Sequence, residues 1–223
     1  MYIYTLTVAL LLVIIIIVLQ YNLYRYALLH FDLSDDTCIR NYMSLKRVDY
    51  DHKVIVSLTT TPQKIKYIKP MIKSILNQSV RIDQIVLNIP KEYKGQAFDS
   101  KNLPHKLNDM ISIYTCGRNY GKGTKCIPTL LRENDSETLI ILLDDIYVYG
   151  EDFIENLIED YKREPTHCIY GKGVILIKSN FVKNDIVDIT REEVNDRLLM
   201  RYITAPKKKI ERNGYIYPSN FAL

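Results

Sequence analysis

The sequence predicts an α/β fold in which a largely parallel sheet is flanked by helices. Three observations predict it. Short runs rich in Val and Ile alternate with helical patterns at the spacing of βαβ units. One run, Leu139 to Leu143, is aliphatic at every position, which is the pattern of a strand buried on both faces. That run leads straight into Asp144 and Asp145, so paired carboxylates sit at the carboxyl end of a strand, where open α/β sheets bind ligands. Burying paired negative charge is costly unless a cation offsets it. A hard divalent ion held by oxygens would do so and would attract a phosphate. The competing reading makes one Asp the N-cap of a helix near Glu151 and leaves the other solvated.

The chain of 223 residues has room for one sizeable domain with a real core. Its net charge of +4 is mild and its Lys and Arg are scattered, which sets nucleic-acid binding aside. Cys38, Cys116, Cys126 and Cys168 are widely spaced with no CxxC pair, so neither a zinc site nor a dense disulfide framework is indicated. Free buried thiols are expected, with a Cys116–Cys126 pair as the alternative in an oxidising compartment. The richness in Ile, Lys, Tyr and Asn reads as the bias of an AT-rich genome, a viral one among the sources.

Ile3 to Leu19 is an uncharged, almost wholly aliphatic stretch of 17 residues, at the short end of a spanning helix. No Lys or Arg precedes it, and Gln20-Tyr21-Asn22-Leu23-Tyr24 offers no small-residue cleavage site, so an uncleaved signal anchor is expected over a signal peptide. Tyr2, Tyr4, Tyr21, Tyr24 and Tyr26 suit the two interfacial belts. The expected organisation is a transmembrane anchor over 1–20, a stem over 21–52 and a domain over 53–223. The chain would then be a single-pass membrane protein of unspecified sidedness, in an endoplasmic reticulum or Golgi-type membrane of the host if it is viral.

Within the domain, Val54 to Leu58 predicts the first strand, ended by Thr59-Thr60-Thr61-Pro62. Lys64 to Leu76 carries an apolar face at helical spacing, with Pro70 marking a kink or the true start of the regular part. Further strands are expected at Ile82–Ile89, Met110–Tyr114, Thr138–Leu143 and Val174–Ile177. Helices are expected from about Thr124 to Arg132, Asp152 to Arg163 and Glu192 to Ile203. The stretch from Lys91 to Asn108 is polar and reads as loop. Between strand three and the next helix lies Gly117-Arg-Asn-Tyr-Gly-Lys-Gly-Thr-Lys125. The gap from Gly117 to Gly121 is one residue short of a P-loop, and Lys122 is followed by Gly123 where the P-loop needs Ser or Thr. What survives is a glycine-rich cationic turn at a helix start, where Arg118, Lys122 and Lys125 could meet a diphosphate; the alternative is a flexible basic surface loop.

The order of these features resembles the family 2-like glycosyltransferases. Val54 to Ile65 resembles their opening strand and nucleotide-binding turn. Ser74 to Ser79 and Gln84 to Pro90 resemble the helix end and second strand, and Asn119 to Leu130 the loop and helix that line the sugar-phosphate site. Thr138 to Asp145 resembles the strand ending in their DxD-type motif. The resemblance covers roughly residues 53–165, with a weaker tail to about 205. It implies a GT-A, Rossmann-like fold binding a nucleotide-diphosphate sugar with Mn²⁺ or Mg²⁺, whose charge would offset that of the leaving diphosphate.

Carried over by position, the resemblance makes Asp145 the metal ligand, and Asp144 the contact to ribose or sugar. Thr59, Thr60 and Asn88 would face the base, and Arg118, Asn119 and Lys125 the diphosphate or sugar. The family's inverting chemistry needs a base for the acceptor hydroxyl, on a glycan or protein. Glu193 to Tyr202 resembles its late acidic pair and would make Asp196 that base; the alternative is a plain N-cap. Two departures stand out: Leu143 occupies the place of a frequent third acid, and Asn195 that of the first acid of the late pair. The rival expectation is a catalytically inactive binding or scaffold module on the same fold.

Overall fold

The computed structural model describes residues 2–27, 29, 33–98, 105–182, 194–210 and 216–218. Helices α1 (Tyr2–Ala27) and α2 (Asp35–Ser44) precede β1 (Val54–Thr59), α3 (Lys69–Leu76) and β2 (Gln84–Pro90). A small hairpin of β3 (Glu92–Tyr93) and β4 (Gln96–Ala97) follows, then β5 (Ser112–Cys116), α4 (Ile127–Arg132), β6 (Leu139–Leu143) and β7 (Tyr147–Tyr149). The rest comprises α5 (Phe153–Arg163), β8 (Cys168–Gly171), β9 (Val174–Lys178), α6 (Asp196–Tyr202), β10 (Lys207–Lys209) and β11 (Ile216–Pro218).

Seven strands form one sheet in the order β10-β8-β9-β6-β1-β2-β5. The block β6-β1-β2-β5 is parallel throughout, and β9 runs antiparallel to both of its neighbours. The expected mostly parallel, mixed sheet is therefore present. Strand β6 is buried at every position, and its alternation explains why. Leu139, Ile141 and Leu143 join the cluster made with α3 and α5, while Ile140 and Leu142 join the cluster made with α4 and α6. Successive strand residues point to opposite faces, so a strand covered on both sides has no polar position to spare.

Two prolines reset the expected helix starts. Pro70 falls in the first turn of α3 and Pro128 in the first turn of α4, where a missing N–H costs nothing. The residues before them form 3₁₀ turns instead, at Ile65–Tyr67 and Lys122–Lys125. Residues 35–52, expected as stem, contribute to the core. Ser34 caps α2 by accepting from Thr37 N, and Cys38, Tyr42 and Val48 are buried with the α3 cluster. The buried Lys73 ammonium secures the helix, pairing with Asp35 at 3.0 Å and donating to the Leu33 carbonyl.

Helix α1 extends over 26 residues, and its side chains from Tyr4 to Ile17 are exposed. Among the described residues no helix is long and apolar enough to cross a membrane, so the expected transmembrane span is not found there. The first residues of the expected Glu192–Ile203 helix fall outside the described residues.

Candidate active site

The carboxyl ends of β1, β2 and β6 open into one cleft of about 450 Å³, within the size range of small-molecule sites. Strand β1 brings Thr59, Thr60 and Thr61, β2 brings Pro90, and β6 brings Leu143, Asp144, Asp145 and Ile146. The β3–β4 hairpin adds Tyr93 and Lys94, and the glycine loop adds Asn119, Gly121, Lys122 and Lys125. The lining carries four lysines (Lys64, Lys94, Lys122, Lys125) against two aspartates. Asp196 stands beside it, paired with Lys122, so the cleft keeps an excess of positive charge.

Lys125 is the centre of this arrangement. Its side chain is 2% exposed, with Nζ 2.6 Å from Asp144 Oδ1 and 3.0 Å from Asp196 Oδ1. The second contact is an ion pair without hydrogen-bond geometry, since Asp196 Oδ1 is buried and lacks a directed donor. Lys122 Nζ reaches the same carboxylates from the solvent side, at 2.9 Å from Asp196 Oδ2 and 3.7 Å from Asp144 Oδ2. Burial works to raise the Asp196 pKa, but the two lysines outweigh it and hold the carboxyl below its ordinary range. Asp145 accepts from Thr60 Oγ1 at 2.8 Å and from Lys64 Nζ at 3.4 Å.

The backbone below fixes these groups. Ser57 Oγ donates to the Lys125 carbonyl at 2.6 Å and stands 2.7 Å from Thr129 Oγ1. Asn88 Nδ2 donates to Thr129 Oγ1 at 2.8 Å, and its Oδ1 accepts from Arg132 at 2.6 Å. On the other side, the buried Tyr149 hydroxyl accepts from Asp144 N–H at 3.1 Å and stands 3.0 and 2.9 Å from the Asp144 and Gly173 carbonyls. The segment around Asp196 is pinned by Val194, whose N–H donates to the Tyr120 carbonyl at 3.2 Å. Its Cβ lies 2.9 Å from where a Cβ on Gly123 would be, an approach that only glycine permits.

Thr59, Thr60, Asn119, Lys125, Asp144 and Asp145 thus meet in one cleft, with Asp196 at its side. Asn88 does not line it; fully buried, it braces the sheet beneath Lys125. Arg118 does not line it either, and its guanidinium lies 5.8 Å from the centre of the Tyr120 ring. Neither Asp144 nor Asp145 caps α5, whose N-cap is Asp152. Asn195 caps α6 by accepting from Leu198 N at 2.9 Å, which leaves Asp196 free of that duty and turned toward the lysines. Lys64 and Tyr149 are missing from the sequence expectations. Lys64 lay within a predicted helix, and Tyr149 lay between a predicted strand and helix, where nothing marked its hydroxyl as buried.

The expected divalent ion does not fit the residues as they stand. Among the described residues no group of three or more His, Cys, Asp or Glu could hold one. The carboxylate oxygens that would face it are occupied by ammonium groups and Thr60. With Leu143 in place of a third acid, the lining carboxylates are Asp144 and Asp145, and both are already engaged.

The mostly parallel sheet with helices on both faces and a cleft at its carboxyl edge fits the GT-A fold. No family model matches the chain, and no curated protein does. Solved structures do. A crystal structure of residues 1–349 of S. aureus TarS superposes with a TM-score of 0.54 at 13% identity, covering 75% of this chain and 60% of that one. The same fragment in complex with UDP gives 0.51 at 10% identity, covering 74% and 60%. A longer TarS structure gives 0.52 at 10% identity, covering 75% of this chain and 36% of that one. The chain spans 36% to 60% of the length of these structures, and the likeness is one of fold.

Proposed function

We propose that the chain is a nucleotide-sugar transferase, binding a nucleotide-diphosphate sugar in the cleft and moving the sugar to a hydroxyl of a glycan or protein. The carrying observation is the meeting of the lysine-bearing glycine loop with Asp144 at the carboxyl edge of the parallel strands. The UDP bound to the TarS fragment supports the choice of ligand class. On this reading Thr59, Thr60 and Asn119 meet the nucleoside or sugar, and Lys64 and Lys122 the diphosphate.

In the inverting displacement that the family resemblance implies, the acceptor oxygen bonds to the anomeric carbon. The bond from that carbon to the diphosphate breaks, and its electron pair leaves on the diphosphate. The acceptor proton passes to a carboxylate, a role this reading gives to Asp196 at the side of the cleft. Its lysines keep it ionised near neutral pH, the state a base needs. Cations already placed where the leaving group gathers charge need not reorganise during reaction.

A thermal-shift screen of the full chain against nucleotide sugars tests the binding, because a ligand of the native state alone raises the melting point. A rise with one donor class is expected; no rise with any donor would sink the reading. A second reading, a binding module without turnover, is favoured by the double pairing of Asp196, since those lysines also weaken it as a base. Binding without sugar transfer or donor hydrolysis would establish that reading instead.

Membrane anchoring through α1 belongs to the same proposal. At about 1.5 Å per residue the helix is about 39 Å long, against a hydrocarbon core of about 30 Å. Large apolar side chains from Leu6 to Ile17 stand exposed along it. Release of the full chain from membranes by alkaline carbonate would contradict the anchor.

A further inference from the structure

On the nucleotide-sugar reading, we propose that Lys125 serves as the internal cation of the site in place of a divalent metal ion. Lys122 and Lys64 then meet the donor diphosphate directly, and donor binding requires no metal.

Three observations carry this. Lys125 Nζ lies between Asp144 and Asp196 at 2.6 and 3.0 Å, almost wholly shielded from solvent. A buried lysine in that place offsets the negative charge of Asp144 and Asp196, which would otherwise need another cation to neutralise it. Its position is built rather than incidental, since the Ser57 hydroxyl holds its carbonyl at 2.6 Å and the Asn88–Thr129 pair holds Ser57. The remaining lysines face outward: Lys122 and Lys64 side chains are 55% and 45% exposed. Each is a compact point charge of the kind that binds phosphate. With more lysines than aspartates in the lining, the field draws in a diphosphate before any metal arrives.

The test titrates UDP, GDP and ADP into the full chain, in EDTA and in Mn²⁺. The nucleotide that binds should do so in EDTA within about twofold of its affinity in Mn²⁺, and Lys122→Met should weaken it by about tenfold or more in EDTA. Lys125→Met leaves Asp144 and Asp196 with Lys122 alone on their solvent side and no buried cation between them, so Mn²⁺ should raise its melting temperature and leave the wild type unmoved. Should that variant fail to fold, the EDTA comparison and Lys122→Met still decide. Binding that appears only with Mn²⁺, and that Lys122→Met leaves intact, would overturn the internal-cation proposal while sparing the nucleotide reading. Absence of binding by all three nucleotides in both conditions would overturn both.

Discussion

Lys125 Nζ stands 2.6 Å from Asp144 Oδ1, with the lysine 2% and the aspartate 13% exposed at the side chain. The pair joins the glycine loop to the end of the central strand β6. Breaking a buried pair by removing one partner costs about 3–5 kcal/mol, because the other charge stays buried alone. Lys125→Ala should therefore lower the unfolding free energy by an amount in that range, read from a urea midpoint at unchanged slope.

Tyr149 should matter for both stability and ligand. Its hydroxyl is shared among the Asp144 N–H, the Asp144 carbonyl and the Gly173 carbonyl. Tyr149→Phe keeps the ring but removes those bonds, which should cost about 1–3 kcal/mol in chemical denaturation. It should also weaken nucleotide binding, because Asp144 loses its support.

A methyl group on Gly123 would sit 2.9 Å from Val194 Cβ and 3.0 Å from its Cγ1. Overpacking of this kind costs about 1–3 kcal/mol. Gly123→Ala should push Val194 and Asp196 away from Lys122 and Lys125. Turnover should fall further than donor affinity, a split visible in kcat against KM.

The acid limb of stability should depend on Asp83. Burial works to raise its pKa, but the Arg47 guanidinium at 2.7 Å and the Val54 N–H at 2.8 Å outweigh that and hold the carboxyl below its ordinary range. A carboxyl whose folded pKa lies below its unfolded value contributes fully above about pH 4 and loses that contribution as pH falls through the folded value. Asp83→Asn should lower the melting point at neutral pH and flatten its decline below about pH 4.

Much of the fold was legible because periodicity and burial agree. The unbroken run Leu139–Leu143 announced a strand covered on both faces, and the structure covers it with α3 and α5 on one side and α4 and α6 on the other. Helix starts were misplaced where Pro70 and Pro128 forced 3₁₀ turns ahead of the regular helix. Helix α2 was hidden because its buried face is short, resting on Cys38 and Tyr42. At the site, sequence order foretold which segments converge, yet not which charges would touch. Asp144 invited a metal on residue type alone. Only the three-dimensional path of the glycine loop shows a lysine already there, nineteen positions away in the chain. Asn88 was expected at the nucleotide for its place near the end of β2, but at that register its side chain enters the buried Ser57–Thr129 network.

The most direct measurement is release of nucleoside diphosphate from a nucleotide sugar by the full chain in lipid nanodiscs, with and without an acceptor glycan, against Asp196→Asn. The nucleotide-sugar reading predicts acceptor-stimulated release by the wild type and a loss of roughly 10²–10⁴-fold in the variant, the contribution of a general base. Release at equal rates from both proteins, or from neither with any donor, would contradict it.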